Sequence, residues 1–85
     1  MKLNKLALGY AVAIMDGGLV FLAVVYSLLF GKANAIMVRF AALHFAPYNF
    51  LGAILMLIEH AVAGFILGWI FAWLYNKFTK ELTKE

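Results

Sequence analysis

FLGAILMLIEHAVAGFILGWIFAWLY, residues 50–75, is an apolar run broken only by Glu59 and His60. A helix crosses the hydrocarbon of a bilayer with about 20 mainly apolar residues, so this run is long enough to span. Working back along the chain, LALGYAVAIMDGGLVFLAVVYSLLF, residues 6–30, is a second such run, interrupted by Asp16. Ionisable groups at membrane depth are expensive and face a protein interior or a wet cavity. The two runs predict an all-α membrane protein built as a two-helix transmembrane hairpin. Asp16, Glu59 and His60 are then the places where any specific role would lie.

Composition agrees. Hydrophobic residues make up 67% of the 85 residues and charged ones 13%, against about 45–50% and about 25% in soluble domains. A soluble chain this short buries only about 60% of its unfolded surface, too little to hide so much apolar area. There is no cysteine, which excludes disulfides and thiolate metal sites. The net charge of +3 comes from lysines gathered at the two chain ends, a topology signal rather than a nucleic-acid footprint. The first run is read as a retained span. The apolar stretch ahead of Ala11-Val12-Ala13 is shorter than the ~7–15 residues of a signal-peptide core.

Lys2, Lys5, Lys77, Lys80 and Lys84 flank the spans, and Lys32 and Arg39 lie between them. Basic residues favour the cytoplasmic side, so both termini are expected in the cytoplasm. Trp69, Trp73 and Tyr75 stand where an aromatic belt would mark that boundary. In the connection, residues 31–49, Gly31 and Asn34 punctuate one side and Pro47 the other, with a helix-permissive stretch from Ala35 to Phe45. Ile36, Met37, Phe40 and Leu43 share one face of that stretch, which predicts a short helix lying in the membrane interface. Residues 76–85 are expected to continue the second helix into water, with Lys77 and Glu81 at i,i+4 spacing. The chain reads as one two-span unit.

Small residues recur every four positions in both runs: Gly9, Ala13 and Gly17, then Gly64, Gly68 and Ala72. Each set forms a stripe on one helix face, and such stripes let membrane helices approach closely. Laid antiparallel, the stripes align as Gly17 with Gly64, Ala13 with Gly68 and Gly9 with Ala72. They would meet within one chain or between chains. This register separates Asp16 from His60 by five residues, about 7.5 Å along the axis, so no direct pair between them is expected. Trp69, whose indole N–H can only donate, is instead expected to serve Asp16. Arg39 is the candidate ion-pair partner for Glu59, and His44 reads as an interfacial residue.

Three roles compete for the intramembrane polar residues: hydrogen-bonding glue between helices or subunits, a proton or ion path in an oligomer, or ligation of haem or chlorophyll by His60. No cofactor is required by the sequence. Glu59, His60 and His44 lack a recurring metal-ligand spacing, and no nucleophile–base–orienter set exists, so catalysis is not expected. The stretch opening with Met1-Lys2-Leu3-Asn4 and broken at Asp16-Gly17-Gly18 resembles an uncharacterised family of small two-span prokaryotic membrane proteins, sometimes labelled holin-like. So does Gly64-Phe65-Ile66-Leu67-Gly68-Trp69-Ile70-Phe71-Ala72-Trp73-Leu74-Tyr75-Asn76-Lys77-Phe78. The resemblance implies the two-span topology and a prokaryotic cell membrane. In that family an acid often precedes the glycines of the second span; here Glu59 and Ala63 stand where it would be sought. The sequence thus anticipates a non-enzymatic small integral membrane protein, packing with itself or as an accessory subunit of a larger complex. An oligomeric proton or ion channel, or a holin-like pore using Asp16, Glu59 and His60, is the alternative.

Overall fold

The computed structural model describes residues 2–82; Met1 and residues 83–85, with Lys84 and Glu85 of the expected tail, lie outside the described residues. Within them the chain is helical: α1 spans Lys5–Phe30, α2 Asn34–Leu43 and α3 Phe50–Leu82. Helices α1 and α3 are each long and apolar enough to cross a membrane, with a mean hydropathy of 2.1 in both. Each start has a physical cause. The Asn4 side chain accepts from the Ala7 N–H at 2.9 Å, and that of Asn49 accepts from the Gly52 N–H at 2.8 Å. Both satisfy a backbone donor that the first helical turn leaves unpaired. Helix α1 ends at Gly31, which takes the left-handed conformation (φ 63°) and returns its N–H to the Ser27 carbonyl; glycine adopts this without a Cβ penalty.

The two long helices pack antiparallel along most of their length. Small residues set how close they come. A Cβ added at Gly68 would lie 2.7 Å from the Leu8 carbonyl oxygen and 3.0 Å from Gly9 Cα. One added at Gly64 would lie 2.9 Å from the Val12 carbonyl, and one at Gly17 2.9 Å from that of Leu57. These are backbone contacts that no side-chain rotation can relieve. Gly9, Gly17, Gly64, Gly68 and Ala72 are all buried, and Ala13 is half-buried. The stripes therefore meet within one chain.

Their register differs from the sequence expectation by one helical turn. Gly64 lies against Ala13 and Gly68 against Gly9, while Gly17 faces Ala61. A stripe repeating every four residues matches its partner equally well after a slip of four, so the stripes alone leave the register open. The other anchors fix it. At the terminal end the Asn76 side chain clasps the backbone of Leu3, accepting from its N–H at 2.7 Å and donating to its carbonyl at 2.8 Å. Phe65 fills the space over Gly9 and meets Tyr10 edge-on, with ring centroids 5.2 Å apart.

At the other end, α2 folds back onto the hairpin. Val24, Ala41, Ala53 and Met56 form a buried cluster joined by Met37, Phe40 and Tyr48. The inward face of α2 is thus Met37, Phe40 and Ala41, whereas Ile36 and Leu43 point outward. The face expected from the sequence grouped Ile36 and Leu43 with Phe40; docking turns the helix so that Ala41 packs inside. Ser27 ties the connection down, donating to the Lys32 carbonyl at 2.6 Å and sharing a hydrogen bond with the Tyr48 hydroxyl. Gly52 sits so close to Pro47 that a Cβ there would overlap the Pro47 carbonyl.

Candidate functional site

Sliding the hairpin by one turn brings together residues that the sequence reading kept apart. Asp16 on α1 and His60 on α3 face each other across the helix contact, with Asp16 Oδ1 and His60 Nδ1 2.8 Å apart. The expectation that they would not pair was wrong because it inherited the slipped register. The second ring nitrogen of His60 is also engaged. His60 Nε2 lies 2.7 Å from Nε2 of His44, the residue that caps α2. His44 Nδ1 in turn lies 2.7 Å from the Phe40 carbonyl oxygen. The result is a continuous line of hydrogen bonds, Asp16–His60–His44–Phe40 carbonyl, running across all three helices.

The two imidazoles meet edge to edge with centroids 4.8 Å apart, and the Phe40 ring lies 4.5 Å from that of His44 and 6.0 Å from that of His60. The line is partly screened from the surroundings: the side chains of His60 and Asp16 are 24% and 33% exposed. No buried side-chain polar atom among the described residues lacks a partner. A hydrogen-bond network of this kind, fully satisfied, holds its members in one arrangement.

Other expected pairings do not form. Trp69 lies far toward the termini from Asp16 and packs instead under Lys5, whose Nζ sits 5.1 Å from the ring centroid. Trp73 takes Lys77 in the same way at 5.5 Å. Among the described residues Arg39 makes no ion pair with Glu59, and both side chains are exposed. His60, considered as a pigment ligand, has both ring nitrogens in hydrogen bonds, so axial ligation would have to break one.

His44 is the site residue the sequence reading missed. Its spacing from His60, 16 residues across a turn, carries no motif. The usable signal was energetic: among the possible one-turn slips, the one that pairs Asp16 with His60 spares two polar groups from facing an apolar helix alone. No protein-family model, curated protein or solved structure matches the chain.

Proposed function

We propose that this chain is a non-enzymatic integral membrane hairpin that works as a building block, joining copies of itself or other membrane subunits. Insertion of α1 and α3 in the bilayer is supported by how little of them the fold hides. Only 22% of the most apolar window of either helix is buried within the chain, whereas a core helix of a soluble protein is mostly buried. The long dimension, 56 Å, exceeds the roughly 40–45 Å of a bilayer with its headgroups, so α3 emerges at its C-terminal end. Lys2, Lys5, Lys77 and Lys80 gather at that end, beside Trp69 and Trp73, which supports cytoplasmic termini. At the opposite end Phe45 is 97% exposed and Leu43 78%, and these apolar side chains suit the membrane interface.

Glu59 carries the assembly reading. It stands nine residues into α3, about 14 Å along the helix from Phe50, and it is exposed among Leu55, Val62 and Ile66. Its carboxyl has no hydrogen-bond or ion-pair partner within the described residues. A lipid-facing carboxylate at that depth costs a few kcal/mol, and a neighbouring subunit that hydrogen-bonds it removes the cost. The small-residue stripes are already spent inside the hairpin, so the Glu59 face is where subunits meet. Native mass spectrometry after gentle extraction tests this. Multiples of the 9.5 kDa chain, or copurifying larger proteins, are expected, and Glu59→Leu should dissociate them. A lone wild-type chain under those conditions refutes the reading.

The Asp16–His60–His44 line favours a second reading, an oligomeric proton channel or holin-like pore in which these residues and Glu59 line the path. Purified protein in liposomes is then expected to pass protons, with flux altered in Asp16→Asn and Glu59→Gln. Vesicles no leakier than empty ones across a range of pH would end it.

A further inference from the structure

Counting hydrogens along the polar line gives a result that holds whether or not the protein conducts. The Phe40 carbonyl can only accept, so His44 Nδ1 must carry a proton toward it. The His44 Nε2–His60 Nε2 contact of 2.7 Å is at hydrogen-bond distance, and two bare lone pairs would repel there; one proton must lie between them. The His60 Nδ1–Asp16 Oδ1 contact needs one more. Three bonds therefore require three protons. An ionised aspartate with two neutral histidines supplies only two. The third makes the set of Asp16, His44 and His60 electrically neutral, the state that surroundings poor in water favour.

We propose that His44 and His60 share one exchangeable proton, charge-balanced by Asp16, and that this proton latches α2 onto α3. Its arrangements differ only in where the three hydrogens sit. With Asp16 ionised, the extra proton rests on His60 or on His44. If His60 Nδ1–H passes to Asp16 Oδ1, the acid becomes neutral and both rings are neutral, with no change in total charge. When the shared proton leaves to water, the set carries one negative charge and the Nε2–Nε2 bond is lost. Loading takes place from the connection end, where His44 caps α2 beside the exposed Phe45.

The groups that face this bond are few. Helix α1 contributes Asp16, α2 contributes His44, and α3 contributes His60. Arg39 on α2 and Glu59 on α3 are exposed and outside these bonds. Apart from the proton bond, α2 is joined to α3 by only a small apolar contact around Met37, Phe40 and Ala41, far less than the α1–α3 seam. Helix α2 also packs on Val24 of α1 in the buried cluster, so loss of the bond frees the α2–α3 contact while α2 stays on α1.

The test is nitrogen-15 NMR on histidine-labelled protein in lipid bilayers. A through-hydrogen-bond coupling between His44 Nε2 and His60 Nε2, with a proton on both Nδ1 atoms, is expected. It should vanish on alkalinisation with release of one proton per chain. Two unprotonated Nε2 atoms without coupling, in protein whose helix content is intact, overturn the proposal. In Asp16→Asn the amide N–H₂ can donate to a bare His60 Nδ1, so two neutral histidines satisfy all three bonds; the coupling should then persist on alkalinisation, with His60 Nδ1 unprotonated. Loss of the coupling in that variant at the pH where the wild type loses it refutes the charge balance, and if that variant does not fold, the wild-type coupling alone decides. Because the chain has no cysteine, spin labels at Ile36→Cys and Ile54→Cys report the latch directly. Their distance distribution should broaden as the coupling disappears; a distribution unchanged by its loss refutes the latch.

Discussion

The end of the hairpin near the termini and the end near the connection are held by different means. Near the termini, Gly9, Gly64 and Gly68 bring backbone against backbone, and the interface is specified by shape. Near the connection, Asp16, His60, His44, Ser27 and Tyr48 bond across three segments, and the interface is specified by donors and acceptors. Shape sets how closely the helices approach. It does so with a four-residue repeat that tolerates a one-turn slip. The polar end does not tolerate it, because a slip strands an acid and a histidine against apolar neighbours. Closeness and register are thus encoded separately.

The largest break in that comparison should come from the shape-specified end. Gly68→Leu forces a side chain into the Leu8 carbonyl, and the hairpin should lose about 3 kcal/mol or more, at or above the usual cost of overpacking. Thermal or steric-trapping unfolding in mild detergent measures it; an unchanged midpoint would mean that the close approach is not needed. His60→Ala removes two hydrogen bonds from the polar end. The expected loss is about 1–2 kcal/mol, given that such bonds in membranes average about 0.6 kcal/mol and reach about 1.7. It should be accompanied by faster hydrogen exchange in α2 than in the terminal half of α1. Equal exchange in the two regions would deny that the polar line holds α2.

The neighbouring glycines sharpen the contrast further. Gly17 faces the Leu57 carbonyl, while among the described residues nothing lies within 4 Å of a would-be Cβ at Gly18. Gly17→Ala should cost about 1 kcal/mol, whereas Gly18→Ala should be neutral or gain up to about 1 kcal/mol from helix propensity. Both are read from the same unfolding curves, and a matching response at the two positions would contradict the register. Arg39→Gln should change stability by less than about 0.5 kcal/mol, as for other surface positions without partners. A larger loss would reveal an ion pair absent from this structure.

The helices were legible in the sequence because apolar length is a one-dimensional property. The expected runs, 6–30 and 50–75, fall within or on α1 and α3, and the helix-permissive stretch of the connection overlaps α2. Gly31 and Pro47 punctuate the connection as turn residues do. The site was legible only as a set of suspects. Asp16 and His60 stood out as ionisable groups in apolar runs, but their pairing depended on register, which a repeating stripe does not determine. His44 was hidden for another reason. Its role comes from α2 folding back through Met37, Phe40 and Ala41, a face turned from the one that helical periodicity alone marks. Glu59, by contrast, was marked by the sequence and remains without a partner among the described residues.

The Asn76 clasp on Leu3 joins positions 73 residues apart, and this bears on the order of events during synthesis. A ribosome makes α1, α2 and most of α3 before residue 76 exists. Until then the first helix has no side chain to seal its beginning. The final lock on the hairpin is therefore withheld from every truncated product that stops short of Asn76. Closure of the terminal end thus waits on the synthesis of most of α3.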